Sequence, residues 1–466
     1  MTIPPCFSFL KKISRFPWPL RQGALLFAFT AFVILPGTAE PKKELPPLLK
    51  VHEAEIAIGL LQREDLPLHD SYALQQKLPA RIAVVTQERP VPPKEEPPQK
   101  TVTVLTISAA GDCTLGTDES FGYEGTFPAS YDAANGDASV FLKGVASIFA
   151  HDDLTLVNME GALTESTDRQ DKTFAFKGKA DYVRVLTEGS VEAATLANNH
   201  SYDRGMQGIV NTRKNLKAAG IQTTGAYEKK EQRDDILVVE RNGIRFAILA
   251  YTYDTNQWID AENSFAINHF LNEEHMFDDR CKKQLARDVQ KAKEQADVVI
   301  AAMHWGTEFT YEIDAAQRDA AGFLNEQGVD IIIGNHPHCL QRVETLTNAQ
   351  GKETFVMYSL GNFVSAAMGV DRASEQFTNM YEIGGIVQCD VELNTKTGET
   401  TVKNKKMIPI VNHFDASYDG FRLLPFSSYT EELAAAHGQR TVSSDFTYAW
   451  LREQLKQLYD GEIAWQ

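Results

Sequence analysis

Residues 101–112 read TVTVLTISAAGD, a run of β-branched and apolar residues that ends in a glycine and an aspartate. Threonine, valine and isoleucine favour extended backbone, because their branched side chains pack well on a pleated surface. The pattern predicts a strand over Thr101–Ser108, with Asp112 just beyond its carboxyl end. In α/β sheets, ligands bind outside the carboxyl ends of strands, so this stretch predicts both a sheet and the position of a site.

Similar apolar runs recur along the chain and alternate with amphipathic segments. Further strands are predicted at Leu154–Asn158, Ile236–Glu240, Ile244–Tyr251, Val298–Met303, Val329–Gly334 and Thr354–Leu360. Helices are predicted at Ala138–Ala150, Met206–Ala219, Asp278–Gln295 and Asp314–Gln327, and beyond Pro409 an irregular stretch precedes another helix at about Phe446–Tyr459. Strands that alternate with helices indicate a layered α/β fold, and mostly apolar strands indicate a sheet covered on both faces.

Residues 1–39 have the composition of a targeting segment. Basic residues precede an uncharged apolar run, GALLFAFTAFVIL, at residues 23–35. Pro36 follows this run, and Gly37 and Ala39 provide the small residues that a signal peptidase requires. The run is shorter than the ~20 residues that comfortably span a bilayer, so a cleaved signal peptide and a retained membrane anchor both stay open. Either one predicts an exported protein, at the outer face of the cytoplasmic membrane, in the periplasm or in the cell wall.

A proline-rich segment separates this terminus from the first strand. The sequence PVPPKEEPP at residues 90–98 is typical of extended polyproline II, which acts as a semi-rigid spacer. The predicted organisation is a signal peptide or membrane anchor over 1–39, a linker over 40–100, an α/β domain over 101–415 and a C-terminal helical extension over 416–466.

Composition excludes several classes of function. The formal net charge of −17 repels nucleic acid, so we expect no nucleic-acid partner. The sequence has no GxSxG, P-loop or CxxC motif, which argues against serine-hydrolase, nucleotide-binding and thiol-redox chemistry. Five cysteines are too few for a disulfide scaffold. Buried thiols are the simplest interpretation, with a Cys113–Cys339 bridge or a thiolate ligand as alternatives.

Polar clusters that follow predicted strands or precede a helix carry the chemistry. They are AAGD (109–112), NMEG (158–161), ANNHSYDRG (197–205), HWGTE (304–308) and GNHPH (334–338). Each alone has a simpler explanation, since an aspartate after a strand is commonly a turn or capping residue. In an extended HPH segment, however, His336 and His338 project to the same side. Because so many carboxylate, amide and imidazole groups coincide with strand ends, the set predicts a shared metal site.

The order of these motifs, completed by YSLGNF at 358–363, resembles the CapA family of poly-γ-glutamate capsule synthesis proteins. The resemblance covers about Thr101 to Ser365. Because that family is similar in fold to calcineurin-type metallophosphoesterases, the resemblance implies a layered metallophosphoesterase-type β-sandwich flanked by helices.

The resemblance also implies roles for individual residues. The implied metal ligands are Asp112, Glu160 as the bridging carboxylate, Asn199 through its amide oxygen, His304, His336 and His338. The implied catalytic residues are His200 as general acid or transition-state donor, Asp203 as the group that orients it, and Asn362, for which a simple turn amide is the alternative. This mixture of oxygen and nitrogen ligands suits one or two divalent ions such as Mn, Fe or Zn. Two such ions can clamp a phosphoryl group for in-line attack.

Two positions depart from this resemblance. Phosphoesterases of the fold usually place a histidine two residues after the first aspartate, where this chain has Thr114, and an aspartate in the place of Glu160. A site without that imidazole is mononuclear, weaker or differently tuned, so whether the protein is an enzyme stays open.

The implied function is an exported cell-envelope protein that assists synthesis, export or attachment of an anionic capsular polymer such as poly-γ-glutamate. Its partners would be the polymer and membrane-embedded synthesis or export proteins. One alternative is a free-standing exported metal-dependent phosphoesterase that takes phosphoryl-type substrates. Another is a non-catalytic, metal-organised binding module, which Thr114 favours.

Overall fold

The structure is a computed structural model that describes residues 102–170, 174–366 and 378–459, together with Ala464 and Trp465. The predicted signal peptide or anchor and the predicted linker lie outside the described residues. A compact unit spans Gln99–Gln466. Among the described residues, no helix is both long enough and apolar enough to cross a membrane.

The strands of the described residues form two large sheets and one small one. In chain order they are β1 (Val102–Thr114), β2 (Leu154–Met159), β3 (Ala162–Leu163), β4 (Lys177–Gly178), β5 (Ala193–Thr195), β6 (Gln222–Thr224), β7 (Leu237–Arg241), β8 (Ile244–Thr252), β9 (Val298–His304), β10 (Ile331–Asn335), β11 (Val343–Thr347), β12 (Glu353–Met357), β13 (Asn362–Ser365), β14 (Ile383–Asn394), β15 (Thr400–His413), β16 (Arg422–Pro425) and β17 (Ala464–Trp465). The first sheet has the order β16-β15-β14-β1-β2-β5-β6, with β13 also paired to β1 and β17 to β15. The second sheet has the order β11-β12-β10-β9-β8-β7, and β3 pairs with β4.

Several of the described helices begin at a residue whose side chain caps them. In chain order they are α1 (Phe127–Ala133), α2 (Ser139–Leu142), α3 (Ala146–Phe149), α4 (Arg184–Glu188), α5 (Gly205–Ala218), α6 (Asp279–Gln295), α7 (Ala315–Glu326), α8 (Thr378–Tyr381), α9 (Glu431–Ala436) and α10 (Tyr448–Leu458). Asp278 accepts a hydrogen bond from the Cys281 N–H at the start of α6. Asp314 and Gln317 form a capping box at the start of α7. Such caps satisfy N–H groups that have no partner within the helix.

The two large sheets pack face to face and helices cover their outer sides. Ile107 and Leu156 of the first sheet share one buried cluster with Ile300 and Ile331 of the second. Helices α1 to α5 pack on the other face of the first sheet, and α6 and α7 pack on the other face of the second. Both sheets are therefore buried on two sides, which explains why their central strands are almost wholly apolar.

Pairing in register aligns the carboxyl ends of the central strands. Asp112 of β1 lies opposite Asn158 of β2 and opposite Asn362 of β13. In the second sheet, His304 of β9 lies opposite Asn335 of β10. Because these strands run parallel, the polar residues that follow their apolar segments collect at one edge of the molecule.

The first predicted strand differs in length from the one that forms. β1 continues six residues past Ser108, so that Asp112 lies within the strand and not beyond it. The pairing with β2 shifts register between Ala109 and Asp112, which marks an irregularity in the strand just before the aspartate. Irregularities of this kind are common next to functional sites, where they redirect a side chain.

The single helix predicted over Ala138–Ala150 is wrong, since α2 and α3 are separate short helices. At the break between them, a Cβ on Gly144 would lie 2.3 Å from the Leu423 carbonyl oxygen. The close approach of β16 therefore requires glycine there, and this long-range contact interrupts the helix.

The prediction of irregular structure beyond Pro409 is also wrong. β15 continues to His413, and β16 pairs with it from Ile410 onward. Pro409 lies just before the segment that pairs with β16, where a missing N–H is tolerated. Tertiary pairing thus outweighs the local signal of a strand-breaking residue.

Candidate functional site

Four strand ends from both sheets converge on one buried position. β1 carries Asp112, Glu160 follows β2, β9 ends at His304, and His336 follows β10. All four side chains are at most 3% exposed. Burying carboxylates and imidazoles at such a depth is costly unless they are paired or bind a cation.

Asp112, Glu160 and His304 form what we call the inner donor group. One ligand atom from each lies within 4.8 Å of the other two. His304 Nδ1 is 3.8 Å from Asp112 Oδ1, and His304 Nε2 is 3.7 Å from Glu160 Oε1. These separations exceed hydrogen-bond length, so the three groups face a common point without closing on one another.

A chain of asparagine side chains fixes the inner donor group. Asn158 Nδ2 donates to Asp112 Oδ1 at 2.7 Å, and Asn198 Nδ2 donates in turn to Asn158 Oδ1 at 3.2 Å. Asn199, predicted as a ligand, places its Oδ1 2.8 Å from His304 Nε2. The amide oxygens and N–H groups therefore hold both a carboxylate and an imidazole in fixed orientations.

The His336-Pro337-His338 segment reaches the site by a different backbone conformation from the one predicted. His336 has φ of 101° and His338 has φ of 54°, so the segment is a tight turn and not an extended strand. The prediction that alternation aligns the two imidazoles is wrong, although the turn still brings both to the site. The His336 N–H donates to Asp112 Oδ2 at 3.0 Å, and His338 Nδ1 lies 3.5 Å from the same oxygen.

The electrostatics of the site follow from burial and crowding. Burial and the neighbouring Glu160 carboxylate raise the pKa of Asp112 to about 7. Burial, together with the surrounding imidazoles, lowers the pKa of His304 and of His336 well below the ordinary value. Both rings are therefore neutral near pH 7, and a neutral imidazole is the form that binds a metal.

Several buried atoms of the site have no hydrogen-bond partner among the described residues. They include Glu160 Oε1, Asn335 Oδ1 and His336 Nδ1. An unsatisfied buried polar group costs about 1–3 kcal/mol, so several of them at one position are typical of a ligand-binding site. Because the unpaired atoms are carboxylate oxygen, amide oxygen and imidazole nitrogen, the donor set fits a divalent transition metal.

His200 and Asp203 form a pair beside the donor group. His200 Nδ1 lies 2.8 Å from Asp203 Oδ2, which also accepts a hydrogen bond of 2.6 Å from the Phe176 N–H. Burial alone would lower the pKa of His200, but the Asp203 carboxylate more than offsets it and raises the pKa to about 9. The Asn256 side chain lies 3.3 Å from His200 Nε2. The ring is therefore protonated at neutral pH, as a general acid requires.

Thr114 and Asn362 both orient predicted ligands. Thr114 Oγ1 donates to Glu160 Oε2 at 3.2 Å, so the position that usually supplies an imidazole here holds the second carboxylate. Asn362 Oδ1 lies 2.9 Å from His338 Nδ1, and Asn362 Nδ2 donates to the Tyr381 carbonyl at 2.9 Å. The structure thus joins all the predicted site residues through neighbouring contacts, while their chemical roles stay predictions.

The cysteines near the site do not form the bridge that was one alternative. Cys113 and Cys339 are both buried and free. Burial raises the pKa of each thiol, that of Cys339 to about 12. Both sulfurs are therefore protonated at neutral pH, and the Cys339 thiol donates a hydrogen bond to the Thr310 carbonyl at 3.3 Å.

Sequence reasoning gave no role to several residues that contact the site. Asn158 belongs to the NMEG motif but has no predicted role, and the loop that follows β8 is not among the predicted site segments. In that loop the Tyr253 ring centroid lies 4.7 Å from that of His336, and Asn256 contacts His200. Since β8 also ends at the site edge, the strand-end rule that found Asp112 could have found this loop.

Comparisons with known proteins agree on one family. The sequence profile of the bacterial capsule synthesis protein family PGA_cap matches residues 106–367. The capsule biosynthesis protein CapA of Bacillus anthracis is 30% identical over 201 residues, 42% of this chain and 45% of that protein. The PGA biosynthesis protein CapA of Bacillus subtilis (strain 168) is 27% identical over 275 residues, 58% of this chain and 66% of that protein. The chain therefore spans about half to two thirds of the length of the curated relatives it matches.

Among solved structures, a novel phosphatase from Mycoplasma pneumoniae aligns with a TM-score of 0.38 and 14% identity, over 66% of this chain and 94% of that chain.

Proposed function

The chain belongs to the PGA_cap family of bacterial capsule synthesis proteins, and from this premise we propose that it is an exported cell-envelope protein that assists synthesis, export or attachment of an anionic polymer such as poly-γ-glutamate. Its work is done at a metal-centred site in a fold of the calcineurin-type metallophosphoesterase kind. The observation that carries the proposal is the accumulation of unpaired, buried ligand atoms where four strand ends meet. The predicted signal peptide or anchor would bring this site to the polymer.

The ligands that we assign to the metal are the six predicted ones. They are Asp112, Glu160, Asn199, His304, His336 and His338, and they hold one or two divalent ions of Mn, Fe or Zn. Such ions supply Lewis acidity toward a phosphoryl or acyl oxygen of the substrate. The low pKa of His304 and of His336 keeps both imidazoles available as ligands at neutral pH.

The chain's own residues supply the proton. The Asp203 carboxylate accepts a hydrogen bond from His200 Nδ1, which fixes the ring and stabilises its charged form. The opposite nitrogen, Nε2, is then the atom that donates a proton to a leaving group. The Phe176 ring, with its centroid 4.4 Å from that of His200, packs against the imidazole and excludes water from one side.

A free-standing phosphoesterase is the second candidate. The observation that favours it is the contact of 2.8 Å between His200 Nδ1 and Asp203 Oδ2, because cleavage of a phosphoester requires a donor for the departing oxygen and this carboxylate stabilises the charged imidazole. If the metal-loaded chain hydrolyses a generic phosphoester and His200→Ala loses that activity, the second candidate is favoured.

The proposal is tested by the double variant His336→Ala/His338→Ala in the full-length chain. We expect the wild type to bind one or two transition-metal ions after reconstitution, and the double variant to bind almost none, as elemental analysis would show. In a deletion strain of the organism that encodes the chain, only the wild type should restore the amount of polymer at the cell surface. Equal, near-zero metal in both proteins would contradict the metal site. Equal polymer in both complemented strains would contradict its role in capsule synthesis.

A further inference from the structure

We propose that Glu308 is a metal ligand and that, with His336 and His338, it holds the outer ion of a two-ion site. This inference rests on the metal-centred function proposed above and adds a residue to it. One ligand atom from each of the three side chains lies within 4.8 Å of the other two. We call these residues the outer donor group.

The loop that carries Glu308 is docked onto the loop that carries the two histidines. Glu308 follows His304 by four residues, so one segment contributes to both donor groups. The Phe309 N–H donates to the Pro337 carbonyl at 2.9 Å. Further along, Gln341 Nε2 donates to the carbonyls of Thr310 at 3.1 Å and of Glu312 at 2.9 Å. These bonds hold the Glu308 backbone beside the imidazoles.

The backbone conformation of the two loops is typical of a functional site. Phe309, His336 and His338 have φ of 58°, 101° and 54°, in the left-handed region that residues other than glycine rarely adopt. Three such residues lie in two touching loops. Conformations of this kind persist only where the surrounding structure fixes them, and they are concentrated at active sites and ligand clamps.

The donor chemistry completes what Thr114 leaves out. With a threonine in place of the usual imidazole, the inner donor group has two carboxylates and a single histidine. The outer donor group has two histidines and, through Glu308, one carboxylate. Each ion is thereby offered both oxygen and nitrogen ligands, a set that suits Mn, Fe or Zn. One carboxylate in the outer group also balances part of the charge of its ion.

Exposure separates the two ions in function. The inner donor group is fully buried, whereas Glu308 is exposed. Solvent therefore reaches the outer donor group through Glu308, and we expect its ion to exchange more readily than the inner one and to meet an incoming anionic substrate first. A surface carboxylate without such a role would leave metal content unchanged when it is neutralised, which gives the proposal a direct test.

The test compares Glu308→Gln with Glu312→Gln in the full-length chain. Glu312 is an exposed glutamate in the same loop and belongs to neither donor group, so it is a matched control. Each protein is stripped of metal, reloaded with Mn²⁺ and dialysed. We expect about two ions per chain in the wild type and in Glu312→Gln, and about one in Glu308→Gln. In electron paramagnetic resonance, the signal of a coupled manganese pair should give way to that of an isolated ion.

A Glu308→Gln protein that keeps the wild-type metal content and the coupled signal would overturn the role of Glu308. Asp112→Asn, measured in parallel, separates the two proposals. If Asp112→Asn loses metal while Glu308→Gln does not, the metal-centred function stands and the inference on Glu308 falls. If the wild type itself binds no metal after reloading, both proposals fail together.

Discussion

The inner and outer donor groups lie side by side but are held in different ways. Asp112 and His304 are strand residues, fixed by the register of parallel strands and by hydrogen bonds from asparagine side chains. His336, His338 and Glu308 lie on loops, fixed by backbone hydrogen bonds and by left-handed backbone conformations. The strand-borne group is preorganised in a buried position, whereas the loop-borne group combines two buried imidazoles with one exposed carboxylate. The difference teaches that one site can combine a rigid anchor with an accessible reaction face.

Charge also divides the two groups. The inner one forces two carboxylates together, which helps to raise the pKa of Asp112 to about 7. Because like charges in a buried position repel, this arrangement of carboxylates is more stable with a bound cation than without one. If the inner group is functional and not structural, its variants should lose metal and stay folded. If the outer group is held separately, variants of the residues that orient its ligands should weaken only the outer ion.

Asp112→Asn should have the largest effect. Asparagine keeps the shape of the side chain and removes the charge. Loss of a residue that only hydrogen-bonds to a metal ligand costs up to ~100-fold in metal affinity, and we expect a larger fall here because Asp112 is itself a proposed ligand. Elemental analysis and titration with Mn²⁺ would measure the loss. The thermal transition should persist, because no core volume is removed. A collapsed transition would instead make Asp112 structural.

The same variant has a pH signature in the metal-free protein. The pKa of Asp112 is raised from 3.8 to about 7 in the folded state, so its contribution to stability is present at low pH and is lost as pH rises through about 7. Because the asparagine side chain cannot ionise, the stability of Asp112→Asn relative to wild type should increase between about pH 4 and pH 7 and level off at higher pH. Asp330→Asn is the control, because Asp330 supports the Val299 N–H at the opposite end of β10. The metal-free Asp330→Asn protein should be less stable than wild type. After loading, it should bind as much metal as wild type.

Asn362→Ala should have an intermediate effect, confined to the outer donor group. Asn362 Oδ1 is the partner of His338 Nδ1, and its amide is anchored on the Tyr381 carbonyl. Loss of a group that orients a metal-bound histidine typically costs about 10–100-fold in affinity. In a Mn²⁺ titration, the affinity for the outer ion should fall by that factor, while the affinity for the inner ion should stay the same. Equal weakening of both ions would mean that the groups do not act separately.

The two groups also differ in how far the sequence predicts them. The inner group is predictable because its residues lie at the carboxyl ends of apolar strands. The alternation of strands and helices in the sequence is enough to predict that these ends meet. The HPH turn is not predictable, since its left-handed residues depend on contacts with the loop after β9. The same is true of Glu308, whose neighbours are set by that docking. At Gly144, too, the helix is broken by a strand almost 280 residues away along the chain. Such long-range contacts leave no local pattern.

Thr114→Val should have the smallest effect, and it tests the departure noted from the sequence. Valine has nearly the shape of threonine and removes only the hydroxyl that donates to Glu160 Oε2 at 3.2 Å. A hydrogen bond to a charged group contributes about 1.5–3 kcal/mol, but a bound ion would still hold the carboxylate. We therefore expect metal affinity to fall by roughly tenfold or less, a difference of about 1.4 kcal/mol. Thr114→Ser keeps the hydroxyl and serves as the matched control. If Thr114→Val lost the metal completely while Thr114→Ser kept it, the hydroxyl would itself be a ligand, and the inner donor group would depend on Thr114 as much as on its carboxylates.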